Sequence, residues 1–600
     1  MSTKETALAQ IRPPQVDPRN YKLSRQLLQR IWRLLRPYWA RREAWPSWIV
    51  AIALVALALG VSLLAGYTSI VLAHLTDDIV ARNVPAYWKL LWFFLALTGG
   101  RALGRVTMNL LDSRLSLHWR NWLTTHLVDQ YLAKRTYFDI ALVEDLDNPD
   151  QRIQENVAPF TDLVTYFPRQ VISNLLDMAT GAAILATVDL RLLAIVLTYV
   201  LIQGGVMGLL SIPTIKQNFE VAVAEADLRY GILHVRQNAE TVAFYGGERS
   251  ERRQILERLA TAVRKQLTLV VYQAKLYGGS EAFGLVWTAI PYLLLVPIFF
   301  AGHITYGAIA QGTFAANQIL QALSILLTII PSLTKAAPQA VRLAEIQERF
   351  EAMDVERGDP SISRLTLRRG HAVGLDHVSL ETPGGEQTLV RDLSLRLSLG
   401  DHLVIVGQTG VGKSSLLRAM AGLWTRGQGC IEMPPQEDCL FLPQRPYMIL
   451  ADLRSQLLYP RGRMQDDDAL QAILERVNLP HLLAKHGGLD AVRDWGKVLS
   501  LGEQQRIAFA RILVSRPAYV FLDEATSAVD LATEAQLYNL LAASGASYVS
   551  IGHRASILGY HTHALRLMPE GAWELGPVDE IAAMESLVAA AAPALDRAAS

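Results

Sequence analysis

The sequence is poor in cysteine and in charged residues. Its two cysteines, Cys430 and Cys439, match neither a disulfide framework nor the spacing of a metal site, and such usage indicates a reducing compartment. The net charge of +1 gives no sign of a nucleic-acid partner. No apolar segment follows a basic start at the N-terminus, so we expect no cleaved signal peptide. Charged residues make up 19% of the chain, below the ~25% of soluble domains, whereas 51% of residues are hydrophobic.

The apolar residues are concentrated in the first 335 of the 600 residues. Six runs there are close to or above the ~20 residues that a helix needs to cross a bilayer. Buried helices of a soluble core are the alternative, but so many long runs in one region favour a membrane domain. The runs are Trp48–Leu75, Trp88–Leu111, Phe167–Thr187, Leu192–Ile212, Gly284–Ala301 and Gly307–Leu333.

Basic residues are distributed unevenly around these runs. Ten Lys and Arg residues precede Trp45 and ten more lie in Ile215–Leu276, whereas the short loops after the first, third and fifth runs hold just Arg82 and Arg191. Positive charge marks the cytoplasmic side, so both termini are predicted to be cytoplasmic. Ser24–Trp39 has the pattern of a basic amphipathic helix along the membrane surface, and the two long cytoplasmic loops also show helical spacing.

A change of composition after Leu333 separates the membrane region from a second domain. From about Leu365 onward, short β-rich runs alternate with helical patterns, which predicts an α/β domain with a largely parallel core sheet. The predicted organisation is a cytoplasmic N-terminal segment with an amphipathic helix at 1–45, a six-helix transmembrane domain at 46–340, a linker at 341–364, the α/β domain at 365–580 and a tail at 581–600.

The segment HLVIVGQTGVGKSSLLRAM places a glycine-rich turn between an apolar strand and a helix. It fits the P-loop pattern, in which glycine amides wrap phosphates, the lysine meets the β- and γ-phosphate oxygens and the serine hydroxyl binds Mg²⁺. A tight glycine turn is the alternative, and the strand-helix context favours the P-loop. The predicted ATP-binding residues of the domain at 365–580 are therefore Gly407, Gln408, Thr409, Gly410, Val411, Gly412, Lys413, Ser414 and Ser415.

A second segment, YVFLDEATSAVD, has the pattern of a buried strand that ends in two acidic residues. Asp523 is predicted to bind Mg²⁺, and Glu524 stands where a general base could polarise the water that attacks the γ-phosphate. An acidic pair at a strand end could instead cap the next helix, but beside a P-loop the catalytic interpretation is favoured.

The segment LSLGEQQR lies between these two motifs. Ser500 and Glu503 have the S-x-x-E spacing of a capping box, which satisfies the first amides of a helix. The same helix N-terminus, with Gly502 beside it, is also a ready anion site, because its free N–H groups and its dipole both favour negative charge. The residues alone leave both interpretations open.

With these three motifs in order, nearly all of the chain resembles the ATP-binding cassette family. The resemblance implies that LSLGEQQR closes on the γ-phosphate held by the P-loop of a second cassette. One cassette per chain then implies a homodimer with two composite sites. Two of the signature positions, Leu501 and Glu503, depart from the commonest LSGGQ form. The signature residues are Ser500, Leu501, Gly502, Glu503 and Gln504.

The same resemblance assigns three further positions. Gln444 in FLPQRPY matches the Q-loop, which senses Mg²⁺ or water, and His553 in VSIGHR matches the switch histidine that contacts the γ-phosphate. Asp530 matches the D-loop aspartate at the dimer seam. The predicted catalytic residues are thus Glu524, His553 and Gln444, and the predicted Mg²⁺ ligands are Ser414, Gln444 and Asp523.

Segments of the membrane half, among them DNPDQRI and ADLRYGILHVRQNAETVAFYGGE, resemble the subfamily D transporters and their bacterial BacA-related kin. This resemblance implies the exporter type of fold, with six long helices per chain that extend into the cytoplasm and are tipped by coupling helices. An exposed polar loop without a coupling role is the alternative at each position. The predicted coupling residues are Asp147, Asn148, Asp150, Arg152, Glu240, Phe244 and Tyr245.

Ionisable residues in or beside the predicted spans bear on the cargo. Such groups are costly at membrane depth unless they face water, protein or ligand. Arg101, Arg105, Asp177 and Glu281 could line a water-filled cavity, bind the phosphate of an acyl-CoA, or pair with one another. The first possibility favours a hydrophilic cargo such as cobalamin or a peptide, and the second favours a fatty acyl-CoA or lipid-like cargo.

The resemblance therefore predicts an ATP-driven, homodimeric importer in the bacterial plasma (inner) membrane. ATP and Mg²⁺ are the expected cofactors, and the expected partners are membrane lipid and a small-molecule or peptide cargo, with no nucleic acid. A cassette ATPase whose membrane half has a regulatory or channel role is the alternative from a different functional class. Intact Glu524, His553 and signature residues favour turnover and thus transport.

Base selectivity yields a testable prediction. Many cassettes stack adenine on an aromatic residue shortly before the P-loop, but DHVSLETPGGEQTLV contains none and Thr382 occupies that place. We predict that GTP is hydrolysed within about an order of magnitude of ATP, because one lost stacking contact is worth ~1 kcal/mol. Steady-state hydrolysis of both nucleotides by the purified protein measures the ratio. A preference for ATP above roughly a thousandfold would show that another residue reads adenine.

Overall fold

The computed structural model describes residues 25–143, 149–359, 363–382, 387–462, 465–552 and 554–581. The chain divides into two compact units, Met1–Val355 and Glu356–Ser600, and each is described by itself. The first unit is helical, and the second combines helices with two β-sheets. The predicted fold class, a helical membrane domain followed by an α/β domain, is confirmed.

Long helices build the first unit, and six of them have between 36 and 53 residues. At ~1.5 Å per residue even the shortest exceeds the ~30 Å of a bilayer's hydrocarbon core, so each can cross it and continue beyond. Each contains one of the six predicted apolar runs to within one residue. They are α2 Trp45–Val80, α3 Val84–Leu132, α5 Pro149–Val188, α6 Leu190–Gln237, α8 Glu248–Phe300 and α9 Tyr306–Gly358.

Four of these helices are candidate membrane spans by length and hydropathy of their described residues. Among the described residues, the stretches long and apolar enough to cross a membrane are Arg42–Val80, Pro149–Val188, Leu190–Gln237 and Glu248–Phe300. Helices α3 and α9 hold the second and sixth predicted runs but are not among them. In α3, Arg101 and Arg105 lie inside the apolar run. Four of the six long helices therefore qualify as membrane spans on their described residues alone.

Shorter helices complete the first unit: α1 Arg25–Trp39, α4 Thr136–Val143 and α7 Ala239–Tyr245. Helix α1 coincides with the predicted basic amphipathic helix. Its Tyr38 is buried and stacks on Trp119 of α3 with ring centroids 4.8 Å apart. Its Arg30 forms an ion pair with Glu348 of α9 at 2.9 Å. One face of α1 therefore packs on the protein's own helices.

Ten strands are present in the described part of the second unit: β1 Thr366–Arg369, β2 Val373–Glu381, β3 Thr388–Leu397, β4 His402–Gly407, β5 Gly427–Met433, β6 Cys439–Leu442, β7 Tyr519–Asp523, β8 Ser547–Ile551, β9 His563–Leu567 and β10 Trp573–Pro577. The larger sheet has the order β10-β9-β4-β8-β7-β6, with only β9 and β10 antiparallel. The smaller has the order β1-β5-β2-β3, with only β1 and β5 parallel. The predicted parallel core is thus accompanied by an antiparallel layer that was not predicted.

The six-stranded sheet is buried on both faces. Along β4, Leu403 and Ile405 face an apolar cluster that includes residues of the smaller sheet, whereas Val404 and Val406 face a second cluster formed with helices. Parallel strands between two layers are apolar on both sides for this reason. Because β4 and β7 run parallel on either side of β8, the segments that follow them lie at one edge of the sheet.

The helices in the described part of this unit are α10 Lys413–Met420, α11 Leu453–Leu458, α12 Asp467–Arg476, α13 His481–His486, α14 Trp495–Val498, α15 Leu501–Ser515 and α16 Leu531–Ala543.

A buried chain of hydrogen bonds connects α16, β8 and the 3₁₀ segment at 555–560. The Tyr538 hydroxyl donates to Ser550 Oγ at 3.3 Å, and Ser550 Oγ lies 2.8 Å from His561 Nε2. His561 Nδ1 lies 2.8 Å from the carbonyl oxygen of Ile557. A neutral imidazole satisfies both contacts, because Nδ1–H donates to the carbonyl and Nε2 accepts from the Ser550 hydroxyl. Burial lowers the pKa of His561 from 6.5 to about 4 and outweighs the opposing effect of the Ile557 carbonyl.

We predict that acid destabilises the second unit through His561. Its pKa is 6.5 in the unfolded chain and about 4 in the folded one, so between these values the unfolded state binds a proton that the folded state does not. Stability is therefore full above pH 6.5 and falls as the pH drops towards 4, by up to roughly 3 kcal/mol at ~1.4 kcal/mol per pKa unit. H561Q should flatten the dependence of the melting temperature on pH, whereas H563Q, at an exposed histidine, should keep the wild-type dependence. Equal slopes in H561Q and wild type would assign the acid sensitivity to another group.

Candidate functional site

The loop between β4 and α10 requires glycine at two positions. Gly407 has a φ of +137°, and a Cβ there would lie 2.3 Å from the carbonyl oxygen of Leu567. Gly412 has a φ of +105°, and a Cβ there would lie 3.0 Å from Cβ of Leu389. Side-chain-bearing residues rarely adopt these conformations, so glycine allows the tight loop. The tip at 408–410 is exposed, and all the predicted ATP-binding residues, 407–415, lie in this loop and the first turn of α10.

Lys413 begins α10 and is buried, with 6% of its surface exposed. Its Nζ donates to the carbonyl oxygens of Gly407 and Gln408 at 2.7 and 2.8 Å. These bonds hold the ammonium group at the loop. Together with the positive end of the α10 dipole, it gives the loop a positive potential that suits phosphate oxygens.

Ser414 and Asp523 form a pair of oxygen ligands at the edge of the six-stranded sheet. Ser414 Oγ donates to Asp523 Oδ1 at 3.0 Å, which joins the first turn of α10 to the end of β7. In nucleotide sites Mg²⁺ takes one or two protein oxygens together with phosphate oxygens and water, and this pair fits that requirement. No group of three or more His, Cys, Asp or Glu in the described ranges could hold a metal. A metal here would therefore need phosphate oxygens and water to complete its coordination.

Glu524 is held in an uncommon backbone conformation directly after β7. Its φ is +48°, which costs ~1–3 kcal/mol in a non-glycine residue, and its N–H donates to the carbonyl oxygen of Ile551 at 3.0 Å. Its Oε2 accepts a hydrogen bond from Gln444 Nε2 at 2.7 Å. Two of the three predicted catalytic side chains are therefore in contact, whereas the third, His553, lies outside the described residues.

Ser500 is the N-cap of α15, and the capping box is present. The N–H and hydroxyl of Ser500 donate to Glu503 Oε2 at 2.8 and 2.9 Å, and the N–H of Glu503 donates to Ser500 Oγ at 3.3 Å. His481 Nε2 lies 3.1 Å from Glu503 Oε1. Burial raises the pKa of Glu503, but the hydrogen bonds from Ser500 and His481 outweigh it and lower the pKa below its ordinary value. The Glu503 carboxylate of the capping box is therefore ionised at neutral pH.

The remaining signature residues hold α15 against neighbouring segments. A Cβ at Gly502 would lie 2.8 Å from the carbonyl oxygen of Ala528, so glycine permits this close approach. Leu501 is the first helical residue, and Gln504 Nε2 donates to the carbonyl oxygen of Leu499 at 2.9 Å. The capping interpretation of the motif is thus present in the structure, and the predicted contact with a second cassette stays a prediction.

Asp530 caps the next helix, α16. Its Oδ1 accepts from the N–H of Thr533 at 2.9 Å and its Oδ2 from the Thr533 hydroxyl at 2.7 Å. These hydrogen bonds, with that from the backbone first, lower the pKa of Asp530. Its predicted place at a dimer seam stays a prediction, because it concerns a second chain.

Gln505 was not predicted, although it directly follows the signature. It is fully buried, its Nε2 donates to the carbonyl oxygen of Gln444 at 3.1 Å and to Ser527 Oγ at 3.2 Å, and its Oε1 accepts from the N–H of Ala528 at 3.0 Å. One amide therefore bonds the signature helix to the Q-loop and to the segment before Asp530.

Arg554 forms a comparable bridge and was also not predicted. Its Nη1 donates to the carbonyl oxygen of Val529 at 3.0 Å, and its Nη2 donates to that of Ser527 at 2.9 Å. Nη1 also lies 3.3 Å from Oε2 of Glu534, a buried carboxylate of α16. The residue that follows His553 is therefore bonded to the same segment that Gln505 contacts.

Thr382 lies beside an aromatic residue that was not recognised from the sequence. Its N–H donates to the carbonyl oxygen of Gln387 at 2.9 Å, and the N–H of Gln387 donates to Thr382 Oγ1 at 3.1 Å. Trp424 Nε1 donates to the carbonyl oxygen of the preceding residue, Glu381, at 2.7 Å. Trp424 is partly buried against an apolar cluster, so it braces this segment.

The predicted coupling residues occupy two places in the first unit. Asp147 and Asn148 lie outside the described residues, and Asp150 is in the first turn of α5. In the same helix Arg152 forms an ion pair with Glu345 at 2.5 Å. The other three residues belong to the seven-residue helix α7, in which two aromatic side chains are more than 80% exposed. Their coupling role stays a prediction; these three residues are Glu240, Phe244 and Tyr245.

Three of the four predicted cavity residues come together. Arg101, Arg105 and Asp177 line one cavity of about 950 Å³ in the first unit. Glu281 does not line this cavity, and it lies on α8 with an exposed side chain. The fourth residue therefore belongs to a different surface.

Comparisons with known proteins agree with the order of the motifs. The family model described as ABC transporter transmembrane region 2 matches residues 32–300, and the one described as ABC transporter matches residues 390–527. The chain is 38% identical to an uncharacterized ABC transporter ATP-binding protein of Synechocystis sp., over 90% of this chain and 83% of that relative.

Two further relatives carry more specific names. ABC transporter D family member 2, chloroplastic, of Arabidopsis thaliana is 30% identical over 94% of this chain and 90% of its own. The lysosomal cobalamin transporter ABCD4 of Homo sapiens is 30% identical over 79% of this chain and 83% of its own. The similarity thus extends over both units.

The geometry at Glu524 yields a testable prediction. E524Q should leave ATP binding intact and reduce hydrolysis by roughly 10²–10⁴-fold, the scale of a positioned general base. Glutamine tolerates the positive φ no worse than glutamate, so the backbone should be unaffected. ATP binding and hydrolysis by purified E524Q measure the effect, with E437Q at an exposed carboxylate as the control of equal charge change. Wild-type turnover in E524Q would remove Glu524 from the mechanism.

Proposed function

Because the chain belongs to the ATP-binding cassette transporter family, in the group of subfamily D and its relatives, we propose that it is a homodimeric importer of a hydrophilic compound. As a member of this family it is a multi-pass membrane protein that hydrolyses ATP. The cargo, the direction of transport and the homodimer are the parts that we propose.

The observation that carries the proposal is the pair of contacts at the edge of the six-stranded sheet. Ser414 lies 3.0 Å from Asp523, and Gln444 lies 2.7 Å from Glu524. We propose that the first pair holds Mg²⁺, which would neutralise phosphate charge when bound. The second pair orients a water molecule, and Glu524 accepts its proton as the water oxygen attacks the γ-phosphorus. The bond between the γ-phosphorus and the β–γ bridging oxygen breaks, and ADP leaves with that oxygen. Lys413 stabilises the charge on the phosphate oxygens.

The homodimer is proposed from the number of motifs in one chain. There is one P-loop and one signature, so two chains can form two equivalent sites, each with the P-loop of one chain and the signature of the other. In this arrangement Ser500 and Gly502 present the N-terminus of α15 to the γ-phosphate, where the helix dipole favours negative charge. His553 and Asp530 act at the same seam.

The polar cavity of the first unit supports a hydrophilic cargo. Its volume of about 950 Å³ is within the range of small-molecule sites, and its wall contains arginine, asparagine, serine and glutamine side chains from several helices. A lipid tail would leave these groups without partners, at a cost. One of the relatives is named as a cobalamin transporter, and we propose cobalamin or a peptide as the first cargoes to test.

We also propose that the protein lies in a bacterial plasma membrane with both termini in the cytoplasm. The support for the orientation is the distribution of basic residues, because ten Lys and Arg residues precede Trp45 and ten lie in Ile215–Leu276, whereas the short loops on the other side hold just Arg82 and Arg191.

Proteoliposomes test transport and its direction together. With ATP sealed inside, only inward-facing cassettes can act, and an importer moves cargo towards the side of its cassettes. Radiolabelled cobalamin or a proline-rich peptide added outside should therefore accumulate, and E524Q should abolish the accumulation. Accumulation driven only by external ATP would show export. ATP hydrolysis without movement of these compounds or of an acyl-CoA would favour a regulatory or channel role.

A further inference from the structure

The cavity in the first unit lies among four helices of the same chain. Arg101 and Arg105 reach it from α3, Asp177 and Arg169 from α5, and Gln318 from α9, while α2 contributes apolar residues. The side chains that are described in its wall indicate which ligand chemistry the cavity would recognise.

The first property of the wall is an excess of positive charge. Arg169 is neutralised by Asp112, with Arg169 Nε donating to Asp112 Oδ2 at 3.1 Å and both side chains 11% exposed. Arg101 and Arg105 have no carboxylate within 4.0 Å in the part of the chain that the structure describes, and Asp177 is the remaining acidic residue of the wall. The cavity and its ion pair thus carry one more positive than negative charge. A single negative group would balance it.

The second property is a set of hydrogen-bonding groups without partners. Four buried side-chain atoms of the wall lack a partner among the residues that the structure describes: Arg101 Nε, Ser173 Oγ, Asn174 Nδ2 and Gln318 Oε1. Buried polar groups normally have partners, and leaving one unpaired costs ~1–3 kcal/mol. Three of these four can donate a hydrogen bond, as an oxyanion requires.

Neighbouring hydrogen bonds fix the orientation of these groups. Asn174 Oδ1 accepts from Gln170 Nε2 at 3.4 Å, so its amide N–H groups are directed elsewhere. Gln318 Nε2 donates to Thr180 Oγ1 at 2.9 Å, and Thr180 Oγ1 lies 2.8 Å from Ser62 Oγ of α2. The wall is therefore held in place by bonds between α2, α5 and α9. Such preorganisation lowers the cost of binding a ligand.

Structural pairing does not account for Arg101 and Arg105. The Arg101 guanidinium lies 6.0 Å from the ring centroid of Phe314, at the limit of a cation–π contact. Glu281, the other acidic residue in question, does not line the cavity. Arginine is suited to planar oxyanions, because its guanidinium donates two parallel hydrogen bonds to a carboxylate or phosphate.

We propose that this cavity binds a carboxylate or phosphate group of the transported compound, with Arg101, Arg105, Ser173 and Asn174 as the donors. The proposal rests on the function proposed above and adds a charge requirement to it: a hydrophilic cargo with an anionic group is preferred over its neutral counterpart.

The test uses full-length protein in nanodiscs of phosphatidylcholine without nucleotide. The probes are four end-blocked tripeptides, Gly-X-Gly, in which X is aspartate, phosphoserine, asparagine or lysine. Calorimetric titration should show that the two anionic peptides bind wild type roughly tenfold or more tightly than the asparagine peptide, as charge-assisted hydrogen bonds require. The variant R101Q/R105Q should lose this difference, and R101E/R105E should prefer the lysine peptide.

A matched control removes two arginines of the same helix outside the cavity. R114Q/R120Q changes two exposed residues of α3 and should keep the wild-type preference for anionic peptides. The melting temperature of each variant reports folding. If R101Q/R105Q fails to fold, R105Q alone serves, because Arg105 is exposed and its removal leaves the packing intact. R105Q should then weaken binding of the anionic peptides and leave that of the asparagine peptide unchanged.

Equal binding of all four peptides, or no binding up to millimolar concentration, would overturn the proposal, and so would a preference that persists in R101Q/R105Q.

Nanodiscs with phosphatidylglycerol distinguish a lipid headgroup from a cargo. If this lipid raises the melting temperature of wild type but not of R101Q/R105Q while the peptides have no effect, the site belongs to lipid. Because binding is measured without ATP, a failure of transport with intact peptide binding would count against the proposed function alone. ATP-driven uptake without charge preference would count against this proposal alone.

Discussion

A hydrogen-bonding group that leaves water must find a partner inside the protein, and this constraint decides the architecture of both units. In the first unit the helices run without interruption for up to 53 residues, because an α-helix pairs its own N–H and C=O groups and can cross a bilayer. In the second unit the parallel strands satisfy their N–H and C=O groups by hydrogen bonds to neighbouring strands. The segments that follow β4 and β7 meet at one edge of the sheet, and there Ser414 donates a hydrogen bond to Asp523.

The same constraint explains why the loops of the nucleotide site form one bonded group. Gln505 is fully buried, and the carbonyl and hydroxyl groups that satisfy its amide belong to the Q-loop and to the segment before Asp530. Arg554 bonds that segment again from the residue after His553. A movement of the Gln444 backbone away from Gln505 would break a buried hydrogen bond of the signature helix. Contiguous bonds of this kind provide a physical route for coupling between loops.

Features that depend on short spacing were predictable from the sequence, and features that depend on the fold were not. The capping box of Ser500 and Glu503 and the glycine loop before Lys413 involve neighbours within six residues, so the motifs identified them. The contact of His481 with Glu503 spans 22 residues, and that of Trp424 with Glu381 spans 43, and no local pattern shows which residues meet. The antiparallel sheet was missed because β2 lacks regular alternation, and its register shifts between Leu375 and Val378.

The arginines that line the cavity of the first unit differ in whether the chain supplies them with an ion-pair partner. Arg169 is largely shielded from solvent in a membrane unit and has the partner that such a position requires, Asp112 at 3.1 Å. Arg101 and Arg105 lie on the neighbouring helix and line the same cavity, yet the chain provides them with no comparable partner among the described residues. An anionic group of the proposed cargo would supply the negative charge that these two arginines lack within the described part of the chain.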